Sequence, residues 1–420
     1  LHVAKAIWGV RKQITDNRKQ ITKLRKLSPS QKAKFLGEGY ALGSKAYENE
    51  DAKAEIMDLN KSIYNNPNQV ELWEETRGWS LEYFDTVYKR LGSHFDRLFF
   101  ESEVEKKGRD KVKEGIKKGI FIQDKDGSIY FPGEKYGLNN CVFVTRENYA
   151  TYEGKEIALE ELEYRTFPFD LDIHVVANEQ INFFQIAFKA VEIVHPIQKG
   201  KQYHLPYGMV NLKTGKISSR TGQVMTADWL LDEAKKRIFN ILEHNKSNYN
   251  KEDQEEIAEK TAVAAVKYTM LRVGPKMDIA FDLEESVSFE GDSGPYLLYT
   301  YARCRSVLRK ADQLSVVRGQ EFVNLKPETH NPKPNVEELS LLRAFYRFEE
   351  VVNDSVLNLS PNLICSYLFD LAQRYNLFYG KHKILESEGS REFRLFLTTV
   401  TAQIIKEGLY LLGIETVERM

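Results

Sequence analysis

The stretch TGKISSRTGQ, residues 214–223, gathers Lys216, Ser218, Ser219 and Arg220 between Gly215 and Gly222. Cations and hydroxyls in one short loop are the donors a polyphosphate requires. Flanking glycines would let such a loop close on the charge developing at a leaving pyrophosphate and open again to release it. The GxxxxGK[ST] pattern of a P-loop is not present. Read without its surroundings, the stretch is an ordinary solvated basic turn.

Its surroundings say more. YGMVNL, from Tyr207, is short, apolar and β-rich and predicts a strand ahead of the loop. Ala227 to Phe239 predicts a helix behind it, with Thr226 as N-cap. CVFVT from Cys141 and LDIHVVA from Leu171 also read as buried parallel strands. Helical patterns at Lys155 to Tyr164 and Ile181 to Val194 separate them. Strand–helix–strand alternation argues a doubly wound α/β sheet, which binds ligands at its strand C-termini. GIFIQDKDGSIYF (Gly119 to Phe131) reads as a hairpin turning at Asp126-Gly127.

Towards the start, Val3, Ile7, Val10 and Ile14 recur at helical spacing, and residues 31–62 read as helical again. GEGYALG, Gly37 to Gly43, is mis-spaced for GxGxxG and follows no strand, so it reads as small residues in a packed helix. Trp79 to Gly92 predicts an amphipathic helix with Ser80 as N-cap and Gly92 as its stop. After Phe289 only helical patterns remain. Leu297, Tyr301, Cys304 and Leu308 share one face, with Pro295 near the first turn. A polar connection, Arg318 to Asn335, leads to three more helical patterns, one aligning Ile364, Leu368, Leu371, Tyr375 and Phe378. This predicts a helical bundle after an α/β domain, with the boundary at 288/289.

The 420 residues suffice for two or three cores, and 42% hydrophobic with 29% charged residues is an ordinary globular composition. Sixty basic against 61 acidic residues neither demands nor excludes a nucleic-acid partner. Cys141, Cys304 and Cys365 match no metal spacing and read as small hydrophobes in a reducing cytoplasm. No run approaches the ~18 apolar residues of a membrane span, and no signal peptide is legible. The expected location is cytoplasmic, with no membrane partner and no structural metal.

The extended stretch GMVNLKTGKISSRTGQVMTADWLLDEA resembles the signature loop of class I aminoacyl-tRNA synthetases in its arginyl form. Tyr83 to Ser102, Gly133 to Leu159, Phe289 to Arg303, Ser366 to Leu385 and the ending LLGIETVERM resemble the same family in the same order. Ordered, separated matches are far more specific than one motif. The resemblance implies a Rossmann-like catalytic domain over 1–288 and an anticodon-binding bundle over 289–420. It also implies an ATP-dependent arginine–tRNA ligase, with ATP–Mg²⁺ and L-arginine as substrates, tRNA-Arg as partner, and a monomeric state.

By the same resemblance Tyr152 and Glu156 read the arginine. One helical turn apart, they share a face, and a carboxylate suits a planar guanidinium. Glu156 departs from the more usual Asp, and Gln180 supplies a neutral acceptor. Lys216 matches the loop's first lysine; Ser219 occupies the second lysine's place, with Arg220 beside it as a possible substitute. His204, Met209 and Val210 match positions flanking adenine, although strand packing explains them equally well. Tyr299 or Tyr375 would stack on RNA bases and Arg303, Arg305, Arg309 and Lys310 would meet phosphates.

The family's second signature, HIGH, is not found: none of the eight histidines stands in such a pair. Two readings follow. Either Leu1 lies downstream of that motif in an N-terminally truncated chain, inactive by itself, or the chain has lost catalysis and serves as an RNA-binding module. Truncation is the preferred reading. An unrelated nucleotidyltransferase would not need the C-terminal bundle.

Overall fold

The computed structural model describes residues 1–14, 17–213, 226–244, 249–317, 333–387 and 389–420. Lys216, Ser218, Ser219 and Arg220 lie outside the described residues. The chain forms two compact units. One takes the described residues of Leu1–Pro168 with Lys189–Ile197; the other takes Phe169–Phe188 and the described residues from Gln198 to Met420.

The first unit opens with α1 (His2–Gln13), α2 (Asn17–Leu24), α3 (Pro29–Ala46) and α4 (Glu50–Asn65). The stretch over 31–62, expected to be helical, divides between two helices. Asn49 accepts hydrogen bonds from the Asp51 and Ala52 N–H groups at 3.0 and 3.1 Å, and this cap restarts the chain as α4. Gly39 and Gly43 of GEGYALG do pack a helix face, while Gly37 faces open space. A Cβ at Gly43 would collide with the Lys5 carbonyl, and one at Gly9 with the Gly39 carbonyl, so α1 and α3 touch backbone to backbone.

Helix α5 (Trp73–Arg90) begins about two turns before the expected cap. Ser80 is interior, its hydroxyl donating to the Thr76 carbonyl at 3.2 Å, while Glu74 and Glu75 supply the acidic first turn that favours a helix start. Gly92, at φ +64°, ends it as expected. After α6 (Glu101–Lys117), β1 (Ile122–Gln123), β2 (Ile129–Phe131) and β3 (Cys141–Val144) form one antiparallel sheet. The expected parallel strand at CVFVT is therefore corrected. The link from Phe131 to Cys141 is too short for a parallel crossover, so β3 turns back along β2. Phe121, Phe131 and Phe143 fill the space beneath, their ring centroids 5.1–5.9 Å apart. Helix α7 (Tyr152–Thr166) packs on β3 and α6.

In the second unit, β4 (Asp172–Ala177) passes through α8 (Ile181–Val194) to β5 (Gln202–Tyr207), which pairs parallel to β4 with His174 opposite His204. The expected βαβ crossover forms, but its second strand is Gln202–Tyr207 and not the expected YGMVNL. β6 (Val210–Leu212) pairs parallel with β7 (Ile279–Phe281), and between them run α9 (Ala227–His244) and α10 (Lys251–Leu271). Thr226 caps α9, its hydroxyl accepting from the Trp229 N–H at 3.4 Å. The short α11 (Leu283–Ser286) precedes the bundle: α12 (Gly294–Val317), α13 (Val336–Tyr346), α14 (Phe348–Leu357), α15 (Asn362–Lys381) and α16 (Arg391–Leu411).

Four helices, not three, follow the connection, because the chain breaks at Arg347 between α13 and α14. Leu297, Tyr301, Cys304, Leu368, Leu371, Tyr375 and Phe378 belong to one core. Tyr375 is fully buried there, which corrects its expected role as a stacking surface. Among the described residues, no helix is long and apolar enough to cross a membrane.

Candidate functional site

In the first unit, the site residues are set by the start of α7. Thr151 donates to the Val142 carbonyl at 2.8 Å and accepts from the Gly154 N–H at 3.3 Å, tying the helix N-terminus to β3. Gly154 lies against the Phe143 carbonyl and Gly108 against the Gly154 carbonyl, with no room for a Cβ at either. So fixed, α7 buries Gly154 through Ala158 in succession. Glu156 is 9% exposed and Tyr152, one turn earlier, 61% exposed. The carboxylate is thus turned inward and the phenol outward, one helical turn apart. Lys155 lies between them, its ammonium 2.5 Å from Glu101 and 5.2 Å from the Tyr152 ring centroid. Burial opposes the Lys155 charge, yet the Glu101 hydrogen bond and charge raise its pKa above the ordinary lysine value.

In the second unit, Gln180 closes the turn Asn178–Gln180 just before α8, with its side chain exposed. His204 Nε2 lies 2.9 Å from the Val176 carbonyl and its ring lies against that of Phe184, tilted by 30° with centroids 4.4 Å apart. Its ring is thus held in place within the β4–α8–β5 layer. Met209 and Val210 are more open, at 42% and 36% exposure. Their backbone is fixed: the Met209 N–H donates to Asp278 at 2.7 Å, and the Ile279 N–H donates to the Met209 carbonyl at 2.8 Å. One residue past β6, Lys213 donates to the Phe281 carbonyl through its backbone and to Glu285 through its ammonium, at 3.1 and 2.7 Å. The Lys213 and Arg272 hydrogen bonds hold the Glu285 carboxyl down at about 2, against its burial.

The same unit carries a cleft of about 820 Å³ between α12, α15, the turn after α15 and the chain end, lined among others by Tyr299, Arg303, Lys310, Tyr379, Lys381 and Lys383. Arg303 is sandwiched there, its guanidinium carbon 4.7 Å from the Tyr299 ring centroid and 4.9 Å from that of Tyr379. Asn376 accepts from Arg303 at 2.5 Å and itself donates to the Tyr296 and Thr300 hydroxyls, each at 2.9 Å. Arg305 instead bonds Glu418 at 2.7 Å, and Arg309 the Glu418 carbonyl at 2.9 Å. Tyr379 and Asn376 escaped the sequence reading. The α15 pattern carried the signal for Asn376 alone, which falls off the face that carries Tyr375 and Phe378; Tyr379, one turn after Tyr375, sits at the edge of that face and is 41% exposed.

A twofold layout of small parallel sheet and helical bundle is that of a class I synthetase body followed by an RNA-reading domain. The family model described as tRNA synthetases class I (R), catalytic domain, matches residues 17–283, and that of the DALR anticodon binding domain matches residues 297–420. The chain belongs to the class I (R) tRNA synthetase family. It is 33% identical to an arginine–tRNA ligase of Porphyromonas gingivalis over 84% of this chain and 58% of that protein. It is also 33% identical to one of Parabacteroides distasonis over 92% of this chain and 66% of that protein. The chain thus spans 58% and 66% of the length of these curated relatives. The arginyl-tRNA synthetase structure of Thermus thermophilus shares its fold, with a TM-score of 0.78 at 22% identity, covering 99% of this chain and 74% of that one.

Proposed function

We propose that the chain works in arginine–tRNA ligation. The arginine carboxylate attacks the α-phosphorus of ATP, giving arginyl-adenylate and pyrophosphate, and the terminal ribose hydroxyl of tRNA-Arg then takes the arginyl group. Both steps rest on positioning and electrostatic stabilisation rather than on a protein nucleophile. Glu156, Tyr152 and Gln180 select arginine; His204, Met209 and Val210 flank the adenine. Lys216, Ser218, Ser219 and Arg220 neutralise the phosphates, with Mg²⁺ entering as part of the ATP substrate complex. The working division is a catalytic part over 1–288 and a tRNA-reading part over 289–420, in a cytoplasmic monomer.

The observation that carries the reading is the Arg303 sandwich in the bundle cleft. Tyr299 and Tyr379, 38% and 41% exposed and held on either side of the Arg303 guanidinium, offer an unstacked base a ring face, and Lys310, Lys381 and Lys383 offer its phosphates a cationic rim. Tyr299 lines this cleft, whereas Arg305 is engaged by Glu418 outside its lining. The test is arginine-dependent ATP–pyrophosphate exchange by the native protein from its source, alongside binding of tRNA-Arg. Exchange with binding supports ligation. Binding with no exchange favours the RNA-binding module, and neither would end the reading.

A further inference from the structure

Lys155 follows Tyr152 by three residues on α7, a spacing at which helix side chains are neighbours, and its ammonium lies 5.2 Å from the Tyr152 ring centroid. Two other elements approach the same ammonium. Glu101, the first residue of α6, accepts its hydrogen bond at 2.5 Å, and the Tyr64 ring of α4 has its centroid 5.6 Å away. Tyr64 is in turn stacked on Tyr149, with centroids 4.3 Å and planes 26° apart. Tyr149 is carried by the turn after β3, where the Thr145 N–H donates to its carbonyl at 2.8 Å. The Lys155 side chain is only 9% exposed, so little water competes with the rings for its charge. Tyr152 is the opposite case: mostly exposed at the start of a helix, its ring would otherwise turn among several rotamers.

We infer that Lys155 is a positioning residue that holds the Tyr152 ring in place beside Glu156, resting on the reading that Tyr152 and Glu156 take the arginine. The ligand then meets a ring already placed rather than one it must order, which is how preorganisation strengthens binding. One effect opposes this: a bare ammonium near a guanidinium site repels its ligand. Glu101, in contact with that ammonium, offsets its charge as seen from the site. Lys155 is not what fixes the helix start. Thr151 ties α7 to β3, and Gly108 and Gly154 pack α6, α7 and β3 together, all without its ammonium.

The experiment measures the arginine KM in pyrophosphate exchange and the arginine Kd by titration calorimetry, in the full-length native protein. The variants are Lys155→Met, Lys155→Arg, Tyr152→Leu and the double variant Lys155→Met with Tyr152→Leu. Lys155→Met is expected to raise the arginine KM and Kd about fivefold, the worth of one cation–π contact. The kcat and the ATP KM stay at wild-type values, and Lys155→Arg, which keeps the cation, restores arginine binding. With Tyr152→Leu already present, Lys155→Met should weaken arginine binding no further. An equal loss in both backgrounds, or tighter arginine binding in Lys155→Met, overturns the inference. Should Lys155→Met not fold, Lys155→Gln, which still reaches Glu101 without a charge, carries the same comparison. If the wild type neither exchanges pyrophosphate nor binds arginine, the ligase reading fails instead. The crystal structure of the Lys155→Met protein then decides the positioning alone: a displaced Tyr152 ring upholds it, and an unmoved ring overturns it.

Discussion

Glu338 and Arg394 meet at 2.8 Å inside the bundle, with the Glu338 side chain 2% exposed and that of Arg394 15%. The same glutamate closes a capping box with Asn335, each backbone N–H donating to the other's side chain at 2.9 Å, and Arg394 also donates to the Lys383 carbonyl at 2.8 Å. One carboxylate thus caps α13 and ties it to α16. Glu338→Ala removes the carboxylate half of the capping box, keeping the Asn335 cap, and leaves a covered guanidinium without its carboxylate. The expected loss is about 3 kcal/mol in urea unfolding. A loss under half of that would mean that Arg394 finds another partner.

At the other end of the chain, Gly9 has no space for a side chain against the Gly39 carbonyl. Gly9→Ala must push α1 off α3. The expected cost is about 3 kcal/mol, at the upper end for overpacking, despite the better helix propensity of alanine. Gly37→Ala, where a Cβ meets nothing, should be neutral or stabilising. Equal effects in the two variants would contradict the close approach of α1 and α3.

His195 follows α8, its Nε2 2.9 Å from the Ile157 carbonyl on α7. Desolvation lowers its pKa below the ordinary 6.5, with Lys111 adding to the effect. The unfolded chain therefore binds a proton more readily than the folded one. The stability due to this group is complete above pH 6.5 and is lost as pH falls through the folded pKa. Urea midpoints at pH 7.5 and 5.5 should differ more in the wild type than in His195→Gln, which cannot titrate. Parallel pH dependences would refute it.

All three thiols should be inert in the folded protein. Burial pushes Cys304 and Cys365 up to about 12, and burial together with the Glu153 carboxylate does the same for Cys141. An aromatic disulfide at pH 8 should label none quickly, and all three once urea is added. Rapid native labelling of Cys141, the one thiol not fully covered, would show that its contact with Glu153 is not kept.

The arginine and phosphate assignments separate kinetically. In the native protein Glu156→Ala should abolish arginine use with the fold intact, while Lys216→Ala should slow adenylate formation with arginine binding retained. Titration calorimetry with arginine, beside pyrophosphate exchange, distinguishes them. Unchanged arginine affinity in Glu156→Ala would remove Glu156 from the site.

Much of this was readable from the sequence, for identifiable reasons. Helix faces repeat every turn, so the cores of α12 and α15 could be read from residues only three or four apart. The turn at Asp126-Gly127 and the cap at Thr226 are equally local. The direction of β3 is not local: its apolar run suits a parallel strand, and only the length of the preceding link excludes one. Arg303 and Asn376 lie far apart in sequence, as do Lys213 and Glu285, and no periodicity joins them. Glu156 was found by resemblance, and its burial depends on glycines at 108 and 154 that pack α6, α7 and β3 together. Lys216 to Arg220 lie outside the described residues, so their part rests on the sequence.

Helix α12 also has a mechanical aspect. Its first residue, Gly294, rests on the Ala264 carbonyl of α10 with no room for a Cβ, while Arg303 and Lys310, farther along, line the cleft. At 1.5 Å per residue the rod is roughly 36 Å long, so a tilt of about 5° at the glycine displaces the far end by about 3 Å. The aim of the end that lines the cleft is thus set at a fulcrum one methyl group wide, several turns from the cleft itself.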